Sequence, residues 1–251
     1  MYKFLTIASI FFSLIHVSNA SDLIQLNKNT FDELQAIEFE SVDTGYAEFL
    51  SKDLEIFTSN DENFIIGIYQ SKVGSEIIDE PYPYNEYMYI LEGEVLTKTV
   101  DGHNHIYRVG ESFMIPKGWM GDFAITKDLK IIYAVDGINE TENVDANYIV
   151  KINDARVFQY ELGDFEEYSP GESDLTARDL TFFSNKNETF QIGLWESSAG
   201  SVSGSETFHE FMYPLKGSII LTNKNGEQLI TNPGEGILVP SGWDGIFSVP
   251  N

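Results

Sequence analysis

The chain repeats itself, and the length of the repeat limits its fold more than any other feature. At a shift of 126 residues, Gly45 meets Gly171, Asp53-Leu54 meets Asp179-Leu180 and Phe57 meets Phe183. Phe64, Ile66, Gly67 and Gly74 likewise meet Phe190, Ile192, Gly193 and Gly200, and ten of the thirty pairs between 45 and 74 are identical without a gap. After Gly74 the second copy loses two residues. At a shift of 124, Glu86, Met88, Tyr89, Leu91 and Gly93 meet Glu210, Met212, Tyr213, Leu215 and Gly217. Gly110-Glu111, Pro116, Gly118-Trp119, Gly121 and Phe123 then meet Gly234-Glu235, Pro240, Gly242-Trp243, Gly245 and Phe247, giving 14 identities in 38 pairs. A unit of this length is domain-sized, far longer than the roughly 20–50 residues of solenoid repeats, so the chain reads as a tandem duplication. The junction falls near Asp145 to Tyr148, which divides the chain into a leader (1–20), a first domain (21–147) and a second (148–251). The register of the second copy stops at Asn251, opposite Lys127, so Leu129 to Val135 has no counterpart. Either the sequence is truncated there or the second domain is a strand short.

Each copy is read as β. Phe64–Tyr69, Glu86–Leu91, Ser112–Ile115, Lys130–Val135 and Gly217–Thr222 are short and rich in β-branched and aromatic residues, with Gly, Pro or Asp-Gly punctuation between them. Asp101-Gly102 and Asn225-Gly226 mark hairpins at matching positions, because both dipeptides tolerate positive φ. Thr30 to Ile37 and Tyr46 to Leu50 read as short lead-in turns, and no long amphipathic helix is expected. Many short strands at regular spacing point to an all-β sandwich or closed barrel.

Composition narrows the chemistry. With 15 Lys and Arg against 40 Asp and Glu, the net charge of -25 repels phosphate backbones and anionic lipid, so nucleic acid is excluded as a natural partner. Zero cysteines remove disulfides, thiolate nucleophiles and Cys-type zinc sites, which leaves carboxylate, imidazole and aromatic chemistry. Lys3, the nearly all-apolar stretch Phe4 to Val17 and the small residues Ser18-Asn19-Ala20 have the pattern of a secretory leader cleaved after Ala20. The apolar stretch is shorter than the roughly 20 residues a membrane span needs. The expectation is a soluble periplasmic or extracellular protein without membrane insertion. Asn139-Glu140-Thr141 and Asn187-Glu188-Thr189 fit the glycosylation sequon, which matters only in a eukaryotic secretory pathway.

Glu86 followed after six residues by Gly93, then Gly110 with five residues to Pro116 and Gly118, resembles the two motifs of the cupin superfamily, and both recur in the second copy. The detail Glu-x-x-Tyr-x-Leu-x-Gly with Pro-x-Gly-Trp-x-Gly-x-Phe is similar to the cupin subfamily of ureidoglycine aminohydrolases and ethanolamine-utilisation proteins. The resemblance implies a bicupin: two jelly-roll barrels, each with a pocket in its mouth, packed about a pseudo-two-fold as a dimer within the chain, with a homodimer as the alternative. Many cupins hold a metal there through His-x-His, the motif Glu and a later His. In this chain the slots before Glu86 hold Glu80 and Tyr82, those before Glu210 hold Gly204 and Glu206, and the late positions are Gly121 and Gly245. Three of the four usual ligands are missing in both copies. A lone carboxylate does not hold a transition metal well, so no metal and no cofactor is expected.

If the resemblance sets Glu86 inward, period-two alternation sends Met88 and Ile90 inward with it, and Glu210, Met212 and Pro214 likewise. Tyr87, Tyr89, Phe211 and Tyr213 then face outward. A carboxylate among Met, Ile and Trp must be hydrogen-bonded, paired or protonated. Glu86 and Glu210 therefore have two readings: a hydrogen bond to a local Tyr or backbone amide, or the counter-charge of a small polar or cationic ligand with Trp119 or Trp243 as its aromatic wall. His103 and His105 read as turn residues beside Asp101-Gly102. His209 faces away from Glu210 unless a bulge intervenes. The candidate ligand-binding residues are Glu80, Tyr82, Glu86, Met88 and Trp119 in the first copy and Glu206, Glu210, Met212 and Trp243 in the second; no catalytic residue is assigned. The expected function is a metal-independent binding module for a small molecule. The alternatives are a metal-dependent hydrolase of amine or ureide substrates, implied only by the resemblance, and a structural or interaction protein.

Overall fold

The computed structural model describes residues 22–45, 48–139, 146, 148–152, 162–169 and 173–251. The leader, Tyr46 and Ala47 of an expected lead-in turn, Glu140 and Thr141 of the first sequon, Asp145 and Asn147 of the expected junction, and Gly171 lie outside the described residues. In chain order the first elements are β1 (Ile24–Leu26), α1 (Lys28–Ala36), β2 (Glu40–Asp43), β3 (Glu48–Thr58), β4 (Phe64–Ser71), β5 (Gly74–Ile78), β6 (Asn85–Thr99), β7 (Asn104–Arg108), β8 (Ser112–Ile115), β9 (Gly121–Asp136) and β10 (Val150–Ile152). They are followed by β11 (Glu166–Glu167), β12 (Thr176–Ser184), β13 (Gln191–Ser197), β14 (Gly200–Ser205), β15 (Glu210–Met212), β16 (Ile219–Asn223), β17 (Gln228–Thr231), β18 (Gly236–Val239) and β19 (Asp244–Val249). The chain is all-β, built as tandem jelly rolls, and no helix among the described residues is long and apolar enough to cross a membrane.

Among the described residues the chain forms two units, 33–152 in one and 22–32 with 162–251 in the other. In the first, antiparallel strands run in the order β10-β8-β6-β9-β4-β3-β2, with β5 also on β9 and β7 on β6. The stretches 86–91 and 130–135, expected as short separate strands, belong to strands of 15 and 16 residues. Each long strand serves two sets of partners. The start of β6 pairs with β8 and its end with β7, while the start of β9 pairs with β5 and its end with β4. Register shifts between Ile90 and Glu92 and between Glu92 and Glu94 lie at the corner, where bulges sharpen the bend a closed roll needs. Met88, Ile90, Val95, Phe113, Ile115, Ile125, Leu129 and Ile131 fill the core.

Two of the expected lead-in turns differ. Thr30 to Ile37 belongs largely to the nine-residue α1, whose start is capped by Asn27 accepting from the Asn29 N–H at 2.9 Å and whose inner face buries Leu34. Tyr46 to Leu50 ends inside β3, because Phe49 packs on Gly74 as part of the sheet.

The second unit shows three smaller sheets, β1-β18-β15, β11-β12-β13 and β14-β19-β16-β17. Two differences from the first copy account for the division. In the first unit the end of β9 pairs with both β4 and β6, and no described residues of the second unit fill that role. Pro214 also stands where Ile90 donates its N–H to the Glu111 carbonyl at 3.0 Å, and a proline has no N–H to give, so one strand becomes β15 and β16. The lead-in strands also sit differently from the sequence division. Ile24–Leu26 pairs with β18 in the second unit, and Val150–Ile152 pairs with β8 in the first.

Candidate functional site

In the first unit, period-two alternation along β6 turns Glu86, Met88 and Ile90 into the barrel, and all three are buried, while Tyr87 and Tyr89 are half-buried on the other face. Tyr82 donates its hydroxyl to Glu86, and Tyr84 packs edge-on against Tyr82 with ring centroids 5.0 Å apart. The Tyr82 backbone is fixed by bonds to the backbone of Trp119 and Gly118, which brings the two cupin-like motifs together. Trp119 is completely buried.

Three interior groups had no motif to announce them. Asp53 on β3, Glu76 on β5 and Tyr133 on β9 join Glu86, with Tyr133 donating to Asp53 at 3.0 Å. Burial pushes the Glu86 carboxyl up to about 8, and the charges of Asp53 and Glu76 push the same way against the Tyr82 hydrogen bond. Burial likewise lifts Asp53 to about 7, and Glu55 adds to it. Glu86 Oε1, Asp53 Oδ1 and Trp119 Nε1 are buried without a hydrogen-bond partner. This is a closed acidic core, sealed by tyrosines.

The second unit has the same frame with different contents. Glu206 bonds to the backbone of Trp243 and Gly242 as Tyr82 does to Trp119 and Gly118, so a carboxylate stands in place of the tyrosine that satisfies Glu86. Glu210 is half-buried, and among the described residues its side chain makes no hydrogen bond or ion pair. Burial raises its carboxyl to about 7, and Glu206 beside it adds to the rise. Tyr168 lies within electrostatic reach of both carboxylates, and its ring meets Trp195 edge-on at 6.2 Å. Trp195 in turn meets Phe247 edge-on at 5.6 Å. Tyr168 and Trp195 stay 45% and 42% exposed, so this aromatic wall opens to solvent. Trp243 and Met212 pack in the apolar floor, with Trp243 Nε1 buried and unpartnered.

Of the candidate residues, Tyr82, Glu86, Met88 and Trp119 converge in the first unit, and Glu206, Glu210, Met212 and Trp243 in the second. Glu80 does not join them. It is exposed, because the two-residue loss falls after β5 rather than after Gly74: Gly74 to Ile78 and Gly200 to Gly204 hold equivalent pairings, so Gly204 matches Ile78 and Glu80 lies in the extra loop. His103 is exposed beside Asp101, and His209 accepts the Ser241 N–H through Nδ1 at 3.1 Å. Sequence reading missed Asp53, Glu76, Tyr133, Tyr168 and Trp195. The conserved spacing of Asp53 and Asp179 within the repeat was the only signal for any of them.

The donor set does not fit the metal that a cupin resemblance implies. Among the described residues no three His, Asp or Glu side chains cluster to hold an ion. The late-ligand positions are also sterically filled: a Cβ on Gly121 would lie 2.6 Å from the Trp119 ring and 2.3 Å from the Lys98 carbonyl oxygen. On Gly245 it would lie 2.5 Å from the Trp243 ring and 2.3 Å from the Thr222 carbonyl oxygen. In both copies the tryptophan occupies the space a histidine would need.

A profile of the EutQ-like cupin domain matches residues 58–133 and again 184–250. A Pseudomonas syringae pv. tomato protein of unknown function from the DUF861 family is 18% identical, with 91% of this chain and 95% of that chain covered at a TM-score of 0.67. A cupin 2 conserved barrel domain protein from Leptotrichia buccalis is 14% identical, with 92% and 91% covered at a TM-score of 0.54. No curated protein matches.

Proposed function

We propose, from the premise that this chain belongs to the EutQ-like cupin domain family, that it is a binding module for a small organic cation and that its second barrel holds the ligand. The observation carrying this reading is Glu210, a half-buried carboxylate whose side chain has no hydrogen-bond or ion-pair partner among the described residues, beside Glu206 and an open aromatic wall. Such a carboxylate must take either a proton or a cation, since an isolated buried charge is costly. Tyr168, Trp195 and Phe247 supply π-faces and edges for the apolar part of an ammonium ligand, and cation–π contacts add about 0.5–2 kcal/mol each. The first barrel serves as scaffold, because Tyr82 already engages one oxygen of the equivalent Glu86 in a fully buried position. The secretory pattern of residues 1–20 supports a role outside the cytoplasm, and an exported chain should begin at Ser21.

Titration calorimetry with a panel of small primary and quaternary amines, ureides and sugars tests the reading. Amines should bind with one site per chain. With Glu210 at about 7, affinity should be about tenfold weaker at pH 6 than at pH 8, because the carboxylate must be ionised. Glu210→Gln should abolish binding and Glu86→Gln should not. No amine binding at saturating concentrations, or loss with Glu86→Gln alone, overturns it. So does near-stoichiometric transition metal in tag-free protein by elemental mass spectrometry.

A further inference from the structure

The two barrels differ in what stands before the inward glutamate. Tyr69, Tyr82 and Tyr84 all lie within electrostatic reach of Glu86, and Tyr82 donates its hydroxyl to it. Tyr69 and Tyr84 have aromatic counterparts in the second copy, Trp195 and Phe208. Tyr82 does not: Glu206 stands in its place and lies beside Glu210. A second exchange runs the other way. Glu76, whose charge acts on Glu86, becomes Val202, which pairs with Phe247 as Glu76 pairs with Phe123. The second barrel has thus given up a phenol ring and one acid, and has gained an acid where the ring was.

The loop carrying these residues is held alike at both ends in each copy. Its start bonds to backbone, Tyr82 with Trp119 and Gly118, Glu206 with Trp243 and Gly242. Its end is fixed by a side chain: Asn85 Oδ1 accepts the Lys117 N–H at 3.0 Å, and His209 Nδ1 accepts the Ser241 N–H at 3.1 Å. Between these anchors Tyr84 is 3% exposed and packs edge-on against Tyr82, whereas Phe208 is 58% exposed. The residues explain the contrast. Pro83 fixes its own φ and holds Tyr82 extended, while Thr207 in its place sets neither constraint. With a carboxylate at position 206, Phe208 also lacks the ring on which Tyr84 packs.

We propose that the ligand of the second barrel is a primary arylalkyl-ammonium ion: its ring takes the place the Tyr82 ring holds in the first, its ammonium donates to Glu206 and Glu210, and Phe208 closes edge-on over it as Tyr84 does over Tyr82. This rests on the reading of the second barrel as a cation site and narrows that reading to one chemical class. The first barrel serves as an internal copy of the filled site, with a phenol hydroxyl as the donor to its glutamate. A flat ring bearing N–H donors supplies both parts of that arrangement. The extra carboxylate of Glu206 answers the positive charge that a phenol lacks. One methylene between ring and nitrogen keeps the amine basic, so benzylammonium is the smallest probe of the class.

Benzylammonium and cyclohexylmethylammonium, alike in charge and similar in size, are titrated into the full chain by calorimetry at pH 8, above the value near 7 at which Glu210 ionises. Benzylammonium should bind about three- to tenfold tighter, the worth of an aromatic edge contact. Phe208→Ala should erase that advantage. Glu206→Tyr, which restores the ring of the first barrel, should weaken both probes at least about tenfold by taking a charged acceptor and filling the space. Without ligand, amide hydrogen exchange at Thr207 to Glu210 should slow in Glu206→Tyr as Phe208 packs inward. Equal affinity for the two probes, or undiminished binding to Glu206→Tyr, overturns the proposal and leaves the cation reading standing. Binding of neither probe overturns both. Should Glu206→Tyr not fold, Phe208→Ala decides alone, and an unchanged ratio of affinities in that variant overturns the aryl class.

Discussion

Replacing Glu86 by Gln should change how the first unit responds to pH. In the unfolded chain this carboxyl has its ordinary value near 4.5, and burial with the charges of Asp53 and Glu76 lifts it to about 8 in the fold. Below the lower value both states hold the proton, and the group contributes nothing to the pH dependence. Between the two only the folded state holds it, so unfolding releases a proton and stability falls as pH rises. Above about 8 both states are ionised and the full penalty of the buried charge stands. The slope for one such group is about 1.4 kcal/mol per pH unit, so between pH 5 and 8 the accumulated loss is on the order of 4 kcal/mol. Gln keeps the shape and an oxygen to accept from Tyr82, has no proton to lose, and carries only a pH-independent cost for its amide. Asp53 and Glu210, both lifted to about 7, give slopes of the same sign, so the observable is the difference between wild type and variant. Denaturant titrations at pH 5, 6, 7 and 8, read by hydrogen exchange in β6, measure it. The difference should move in favour of Glu86→Gln as pH rises. A difference that stays flat across the range would falsify the placement of a buried, largely protonated carboxyl beside Tyr82 in this core.

Gly121→Ala should destabilise the first unit by about 1–3 kcal/mol or more through overpacking against Trp119 and the Lys98 carbonyl, and Gly245→Ala the second likewise; thermal unfolding of each variant checks this. An unchanged midpoint would mean the tryptophan does not fill the fourth-ligand space. Tyr133→Phe should cost about 1–3 kcal/mol by taking the hydroxyl donor from Asp53 in a desolvated position, and should raise its carboxyl further, visible as a shifted titration by NMR.

The repeat made the architecture readable because identities such as Pro116/Pro240 and Gly118-Trp119/Gly242-Trp243 sit at turns and at the tryptophan that packs against them, where few residue types fit. The inward set Glu86, Met88 and Ile90 was readable because alternation along one strand is local. The acidic interior was less so. Asp53, Glu76 and Tyr133 come from three strands widely separated in sequence, and only folding brings them to Glu86. Tyr168, just after β11, and Trp195 on β13 were hidden for the same reason: they are far apart in sequence, and only the fold sets their rings edge to face. Glu80 was misplaced by a two-residue slip in where the copies diverge, which in a strand-ending loop decides whether a side chain enters the barrel or solvent.

The pairing of Ile24–Leu26 with β18 and of Val150–Ile152 with β8 bears on any attempt to dissect this protein. A cut at residue 147 follows the repeat in the gene, yet it strips the first unit of its β10 edge and leaves β18 of the second without β1. Each half expressed that way would expose the backbone groups of a strand next to its motif tryptophan, in a position that invites self-association. The piece that is duplicated and the piece that folds are offset by one strand, and truncations intended to isolate a barrel have to carry its neighbour's leading segment along.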